Sequence, residues 1–130
     1  DGDTVGSALA LRLGLQEMGK DVALYCQDKI PDVLRFLPGA EEFRMPEEMQ
    51  EEVDLLLCVD VSDEKRMGRC KGLKRMARHT ALIDHHATNE GFGEYNVIDG
   101  KAPAAAVLIY RLYQAMDKPV SMPPTPASAR

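Results

Sequence analysis

The stretch Leu55-Leu-Leu-Cys-Val-Asp60 decides the fold class. An unbroken apolar run of this length reads as a strand buried on both faces, as in a parallel sheet. It stops on a carboxylate. A second short run, His79-Thr-Ala-Leu-Ile-Asp84, also ends in aspartate. Between them, residues 65–78 carry seven bases (Lys65, Arg66, Arg69, Lys71, Lys74, Arg75, Arg78) and no acid. Met67, Cys70, Leu73 and Ala77 recur there at helical spacing, which predicts an amphipathic helix with a basic outer face. Working outward, residues 4–19 read as a helix that stops near Gly19. Asp21–Cys26 reads as a short strand, and Pro31, Pro38 and Gly39 make residues 30–40 a loop with one helical turn. Residues 41–54 hold seven acids against Arg44 and read as a solvated helix face. Val97-Ile98 predicts a further short strand. Residues 102–117 predict a helix with Val107, Leu108, Leu112, Ala115 and Met116 as its apolar stripe. Four prolines between Lys118 and Arg130 mark a linker or loop.

Strand and helix patterns thus alternate, which argues for an α/β fold with a parallel sheet flanked by helices. In such sheets ligands bind beyond the carboxyl ends of the strands, where Asp60 and Asp84 stand. A chain of 130 residues is one ordinary domain. With 45% hydrophobic and 28% charged residues it is globular in composition rather than disordered. A net charge of −5 excludes a generally basic nucleic-acid coat but leaves room for a local phosphate site. Cys26, Cys58 and Cys70 are odd in number with no Cys-x-x-Cys pair, so reduced cytosolic thiols are the simpler reading than a disulfide framework or zinc knuckle. With no Trp, three Phe and four Tyr, a base-stacking platform is not evident. No apolar run reaches the ~18 residues of a membrane span, and the opening Asp-Gly-Asp carries no basic-then-apolar leader, so a cytoplasmic location with no membrane partner is expected.

Three segments carry chemistry. Asp1-Gly2-Asp3 places two carboxylates two residues apart, able to face one site, and Gly6-Ser7 follows at the first helical turn, where amides can hold a phosphate oxygen. Taken alone, this segment reads first as a helix cap supplied by Asp3 or Thr4. Asp60 ends a buried strand, where a carboxylate is costly unless paired or bound to metal; a loop residue capping the next helix is an equal reading. Asp84-His85-His86 is the sharpest signal, because two adjacent imidazoles follow a strand-end carboxylate. The third histidine, His79, precedes that strand and reads as structural or surface. An oxygen-rich set with one or two imidazoles suits Mn2+ or Mg2+ better than structural zinc. Two such ions ~3.5–4 Å apart are the standard apparatus for phosphate-ester hydrolysis.

Asp1-Gly-Asp-Thr-Val-Gly-Ser7, Val59-Asp60 and Asp84-His-His86 resemble the first three motifs of the DHH phosphoesterase superfamily. Leu34-Arg-Phe-Leu-Pro-Gly39 and Phe92-Gly-Glu-Tyr-Asn96 look most like its nanoRNase/pAp-phosphatase group. The resemblance implies a Rossmann-like domain in which Asp1, Asp3, Asp60 and His85 bind two Mn2+ or Mg2+ ions, Asp60 bridging them. It implies that His86 approaches the substrate phosphate, Asp84 orients its neighbours, and Ser7 lies near the phosphate. Short oligoribonucleotides and 3′-phosphoadenosine 5′-phosphate are the implied substrates, and a homodimer of the full-length protein is a candidate assembly. The family's upstream His, its fourth-motif Asp and its C-terminal substrate domain have no counterpart in residues 1–130. The expectation is therefore a partial catalytic domain (core 1–117, linker or next helix 118–130) with weak metal binding and little activity by itself. Competing readings are a cyclic-dinucleotide phosphodiesterase, a RecJ-like exonuclease, a manganese pyrophosphatase (which usually has Asn where His86 stands) and a non-catalytic nucleotide-binding module.

Overall fold

Residues 2–116 are described by a computed structural model. The apolar run before Asp60 forms strand β3 (Val53–Val59), preceded by helix α1 (Gly2–Glu17), β1 (Leu24–Tyr25) and β2 (Phe43–Arg44). Strands β4 (Ala77–Asp84) and β5 (Tyr95–Ile98) and helix α2 (Ala105–Ala115) follow. The order β3-β4-β5 is parallel throughout, with Val59 opposite Ile83 and Asp84 opposite Ile98, so Asp60 and Asp84 emerge at the same edge. β1 and β2 form a separate parallel pair. The α/β class expected from the alternation is the class observed.

Two apolar clusters hold these elements together. Leu11 of α1, Ile83 of β4, Ala102, and Leu108, Ile109 and Tyr113 of α2 form one, with Leu57 and Val59 packed against it. Val5 and Leu9 of α1 form the other with Leu24, Leu37 and Ala40. α1 therefore buries residues on two sides, which is why its composition is Ala- and Leu-rich all round rather than striped. At Gly14 α2 packs tightly: a methyl group there would overlap the Tyr113 phenol. That phenol is buried and donates to the Ala10 carbonyl at 2.6 Å.

Several local expectations are corrected. Residues 41–54 form no α-helix but two short 3-10 turns (Ala40–Glu42 and Pro46–Glu48) around β2. Met45 is extended because the residue before a proline is pushed out of the helical region. Residues 65–78 are not one amphipathic α-helix either. Glu64–Met76 is 3-10 in character and broken at Gly68, whose φ of 53° and ψ of −128° lie outside helical space. A side chain at Gly68 would meet only the flexible end of Gln27, so it is the backbone conformation that calls for glycine. Met67 and Leu73 are buried as expected, whereas Ala77 belongs to β4. The 21–26 strand shortens to β1. The buried face of α2 is Ala105, Leu108, Ile109 and Tyr113, and Ala115 of the expected stripe is exposed. β3 is the outer strand of its sheet among the described residues, and Leu55 is 46% exposed rather than buried on both faces. The expected 118–130 linker lies outside the described residues. No helix among the described residues is long and apolar enough to cross a membrane.

The cysteines are free among the described residues. Burial above all pushes the Cys58 and Cys70 thiols from 9.0 up to about 11. At pH 8 the thiolate, which is the reacting form, is then about 100-fold scarcer than in an unfolded chain. Iodoacetamide should label Cys58 about 100-fold more slowly in the native protein than in urea, as read by peptide mass spectrometry; equal rates would contradict this burial.

Candidate active site

Each acidic and imidazole group beyond the sheet edge is held by a specific piece of backbone. Asp60 follows β3 directly, and its N–H still donates to the Ile83 carbonyl at 2.8 Å, so the ladder with β4 runs to the turn itself. The chain then reverses through a φ of +61° at Asp60, a left-handed conformation that Asp and Asn tolerate better than other side chains. This aims the side chain inward, where it is 7% exposed. Its Oδ2 accepts from the Thr4 hydroxyl at 2.5 Å. Its Oδ1 is buried and has no hydrogen-bond partner among the described residues.

Asp84 ends β4 and is fully buried. Its Oδ1 lies 2.7 Å from His86 Nδ1, and its Oδ2 accepts from Asn89 Nδ2 at 2.7 Å and from the His86 amide at 3.3 Å. Burial pushes this carboxyl up, but the hydrogen bonds from Asn89, from His86 and from the amides of His85 and His86 outweigh it and hold it below its ordinary value. Asp84 is therefore an ionised acceptor at neutral pH. His85 turns the other way. Its Nδ1 lies 3.2 Å from the Ala102 carbonyl, an acceptor, so Nδ1 carries the proton and Nε2 a lone pair. That Nε2 lies 3.0 Å from Asp60 Oδ1 and 3.8 Å from Asp3 Oδ2.

Asp3, in the first turn of α1, is gripped from a distance in sequence. The Ala105 and Ala106 amides at the start of α2 donate to its two oxygens at 3.2 and 3.4 Å, and the Ser7 hydroxyl donates at 3.2 Å. A helix N-terminus carries partial positive charge and suits a carboxylate. Ser7 itself is fully buried, behind Asp3.

The structure thus gathers Asp3, Asp60, Asp84, His85 and His86 at one end of the sheet. One ligand atom from each of Asp60, Asp84, His85 and His86 falls within 4.8 Å of the other three, a group able to hold a metal ion. Asp1 lies outside the described residues. The fit to a cation rests on Asp60 Oδ1. A buried acceptor without a donor is costly, and here it lies 3.0 Å from His85 Nε2 with no hydrogen bond between them. A cation beside both atoms would satisfy that oxygen, and carboxylate oxygen with imidazole nitrogen is a donor set that divalent ions accept.

Sequence reasoning missed Asn89 and the α2 amides. Asn89 is a short amide in a loop and carries no signal by itself; the amides belong to Ala105 and Ala106, whose side chains say nothing. His79, expected to be structural or at the surface, sits on β4 with its ring 2.9 Å from Glu94. Of the seven bases in 65–78, Arg69, Lys74 and Arg78 face Glu47, Glu64 and Asp54 at 2.8, 2.6 and 3.9 Å, so much of that charge is answered within the chain.

Residues 1–129 match the family model described as the DHH family, N-terminal domain. The chain belongs to the DHH family. Within it, this DHH chain is 35% identical over 109 residues to the bifunctional oligoribonuclease and PAP phosphatase NrnA of Thermus thermophilus, covering 84% of this chain and 32% of that protein. Its fold superposes on the crystal structure of an exopolyphosphatase-related protein from Bacteroides fragilis with a TM-score of 0.81 at 26% identity. That match covers 89% of this chain and 36% of the other. The DHH chain thus spans about a third of the length of the relatives it matches.

Proposed function

We propose that this DHH chain carries the metal-binding part of a phosphoesterase that hydrolyses short oligoribonucleotides and 3′-phosphoadenosine 5′-phosphate. The observation that carries the reading is the orphaned Asp60 Oδ1 facing His85 Nε2. The substrate class is supported by the name of the Thermus relative. Asp1, Asp3, Asp60 and His85 would hold the divalent ions, Mn2+ or Mg2+, proposed for this site. When bound, such ions supply Lewis acidity toward water and toward the phosphoryl oxygens.

The chain's own residues do the rest. Thr4 and the Asp60 turn fix one carboxylate oxygen inward. The α2 amides and Ser7 hold Asp3 facing His85. The Ala102 carbonyl keeps the His85 proton on Nδ1 and leaves Nε2 free to ligate. Asp84 accepts from His86 Nδ1, and this ring, 44% exposed, is the group proposed to approach a substrate phosphate. In this reading Ser7 acts on phosphate only through Asp3. Residues 1–117 form the core of the N-terminal half of the site, in a cytoplasmic protein.

The test is a substrate panel on the whole protein with Mn2+, comparing a ribodinucleotide, 3′-phosphoadenosine 5′-phosphate and inorganic pyrophosphate. Release of nucleoside monophosphate and of inorganic phosphate from the first two, with pyrophosphate intact, is expected. Hydrolysis of pyrophosphate alone would replace this reading with the pyrophosphatase one.

A further inference from the structure

Asn89 uses every polar atom of its side chain. Its Nδ2 donates to Asp84 Oδ2 at 2.7 Å and to the Val61 carbonyl at 2.9 Å, and its Oδ1 accepts from the Gly91 amide at 2.8 Å. A primary amide has two N–H donors, and here one goes to each of two chain segments. One segment leaves Asp60 and the other leaves Asp84, so Asn89 ties together the two loops that carry the site.

The consequence falls on His86. With Asp84 Oδ2 occupied by Asn89 and the His86 amide, the remaining oxygen, Oδ1, meets the His86 ring at 2.7 Å. Asp84 is fully buried, so water cannot stand in for a missing donor. A carboxylate free to turn would offer either oxygen to the ring or to the loop amides.

We propose that Asn89 is the positioning residue for His86: by filling the second oxygen of Asp84 and pinning the Val61 loop to it, it fixes the carboxylate plane and so holds His86 as the Nδ1–H tautomer with Nε2 bare and facing out. Partners of this outer kind orient the groups that touch ligand and settle which ring nitrogen carries the proton. Leucine at position 89 matches the volume but donates nothing. Aspartate matches the shape but sets a second carboxylate against Asp84. Glutamine keeps both donors.

The tautomer is read directly by long-range 1H–15N correlation on the full chain with labelled histidine. The sample is metal-free and about two units above the ordinary imidazole value of about 6.5. The wild-type chain should show His86 as the single Nδ1–H form. In N89L and N89D, His86 should relax to the mixture seen for free imidazole, while His85, held by the Ala102 carbonyl, keeps its own pattern; N89Q should retain the wild-type form. A purely structural role would disturb His85 and His86 alike, and N89D carries the test if N89L does not fold. In the Mn2+-loaded whole protein the same two variants should lose about 10- to 100-fold in kcat with KM changed less than about twofold. His86 found as Nε2–H in the wild type, or unaltered in both variants, would overturn the proposal. The link to kcat rests on the phosphoesterase reading, but the tautomer does not. A wild-type protein inactive on every substrate would refute that reading while the spectra still decide Asn89.

Discussion

On the proposed phosphoesterase reading, Asp60→Asn is expected to remove divalent-metal binding and to lower phosphoester hydrolysis by the whole protein at least about 100-fold, the upper end of what loss of an outer partner causes. Asparagine keeps the shape of aspartate and tolerates the φ of +61°, so the turn after β3 survives. It also keeps an oxygen to accept from Thr4. What changes is the other atom. An amide nitrogen in place of Oδ1 carries no charge and no lone pair to offer a cation beside His85 Nε2. The metal-free variant should therefore melt no lower than the wild type, because a buried charge is removed while the turn and the Thr4 bond stay. Mn2+ titration by calorimetry or electron paramagnetic resonance, paired with a melting curve, checks both halves. Mn2+ affinity within about threefold of wild type would refute the ligand role. Alanine is the weaker choice here, since a left-handed backbone disfavours it by about 1–2 kcal/mol whatever the chemistry.

The second large effect is on stability. Gly14→Ala places a methyl group where the Tyr113 phenol now lies. Tyr113 is 2% exposed and packed with Leu11, Ile83 and Ile109, so the ring has no free direction in which to move. Overpacking of this kind costs about 1–3 kcal/mol. Moving the ring also breaks its bond to the Ala10 carbonyl, leaving a buried hydroxyl unsatisfied for about 1–3 kcal/mol more. A loss of about 3 kcal/mol in urea unfolding is expected, against the gain of about 1 kcal/mol that an exposed Gly→Ala in a helix would bring. A Gly14→Ala chain as stable as the wild type would mean that α1 and α2 do not pack as described. Gly6, where a methyl group meets nothing within 4 Å, is the control.

The sheet and the site were legible in the sequence for one reason. β3 and β4 are short apolar runs closed by carboxylates, and such a pattern has few other physical meanings. Asp84-His85-His86 stood out because chemistry-bearing side chains are adjacent in the chain. The errors fell where local charge was read as helical surface. In 41–54 the acids said nothing about backbone, while Pro46 settled it. In 64–76 the apolar spacing suited a helix, but Gly68 takes a conformation that no helix contains. The α2 stripe was misplaced because Ala105, small and unremarkable in sequence, turns out to be fully buried while Ala115 faces solvent. The α2 amides were illegible in principle, since Asp3 and Ala105, 102 residues apart, are joined by the fold alone, and Asn89 reaches Val61 only because the two loops meet in space.

The grip of α2 on Asp3 makes the site a keystone arrangement. The acidic and imidazole residues all precede position 87, yet one of them is seated by amides at positions 105 and 106. A nascent chain leaving the ribosome would thus possess every proposed donor atom long before it could hold an ion tightly. Capture of metal should wait until α2 has docked, sparing the half-made protein from trapping an ion in the wrong geometry.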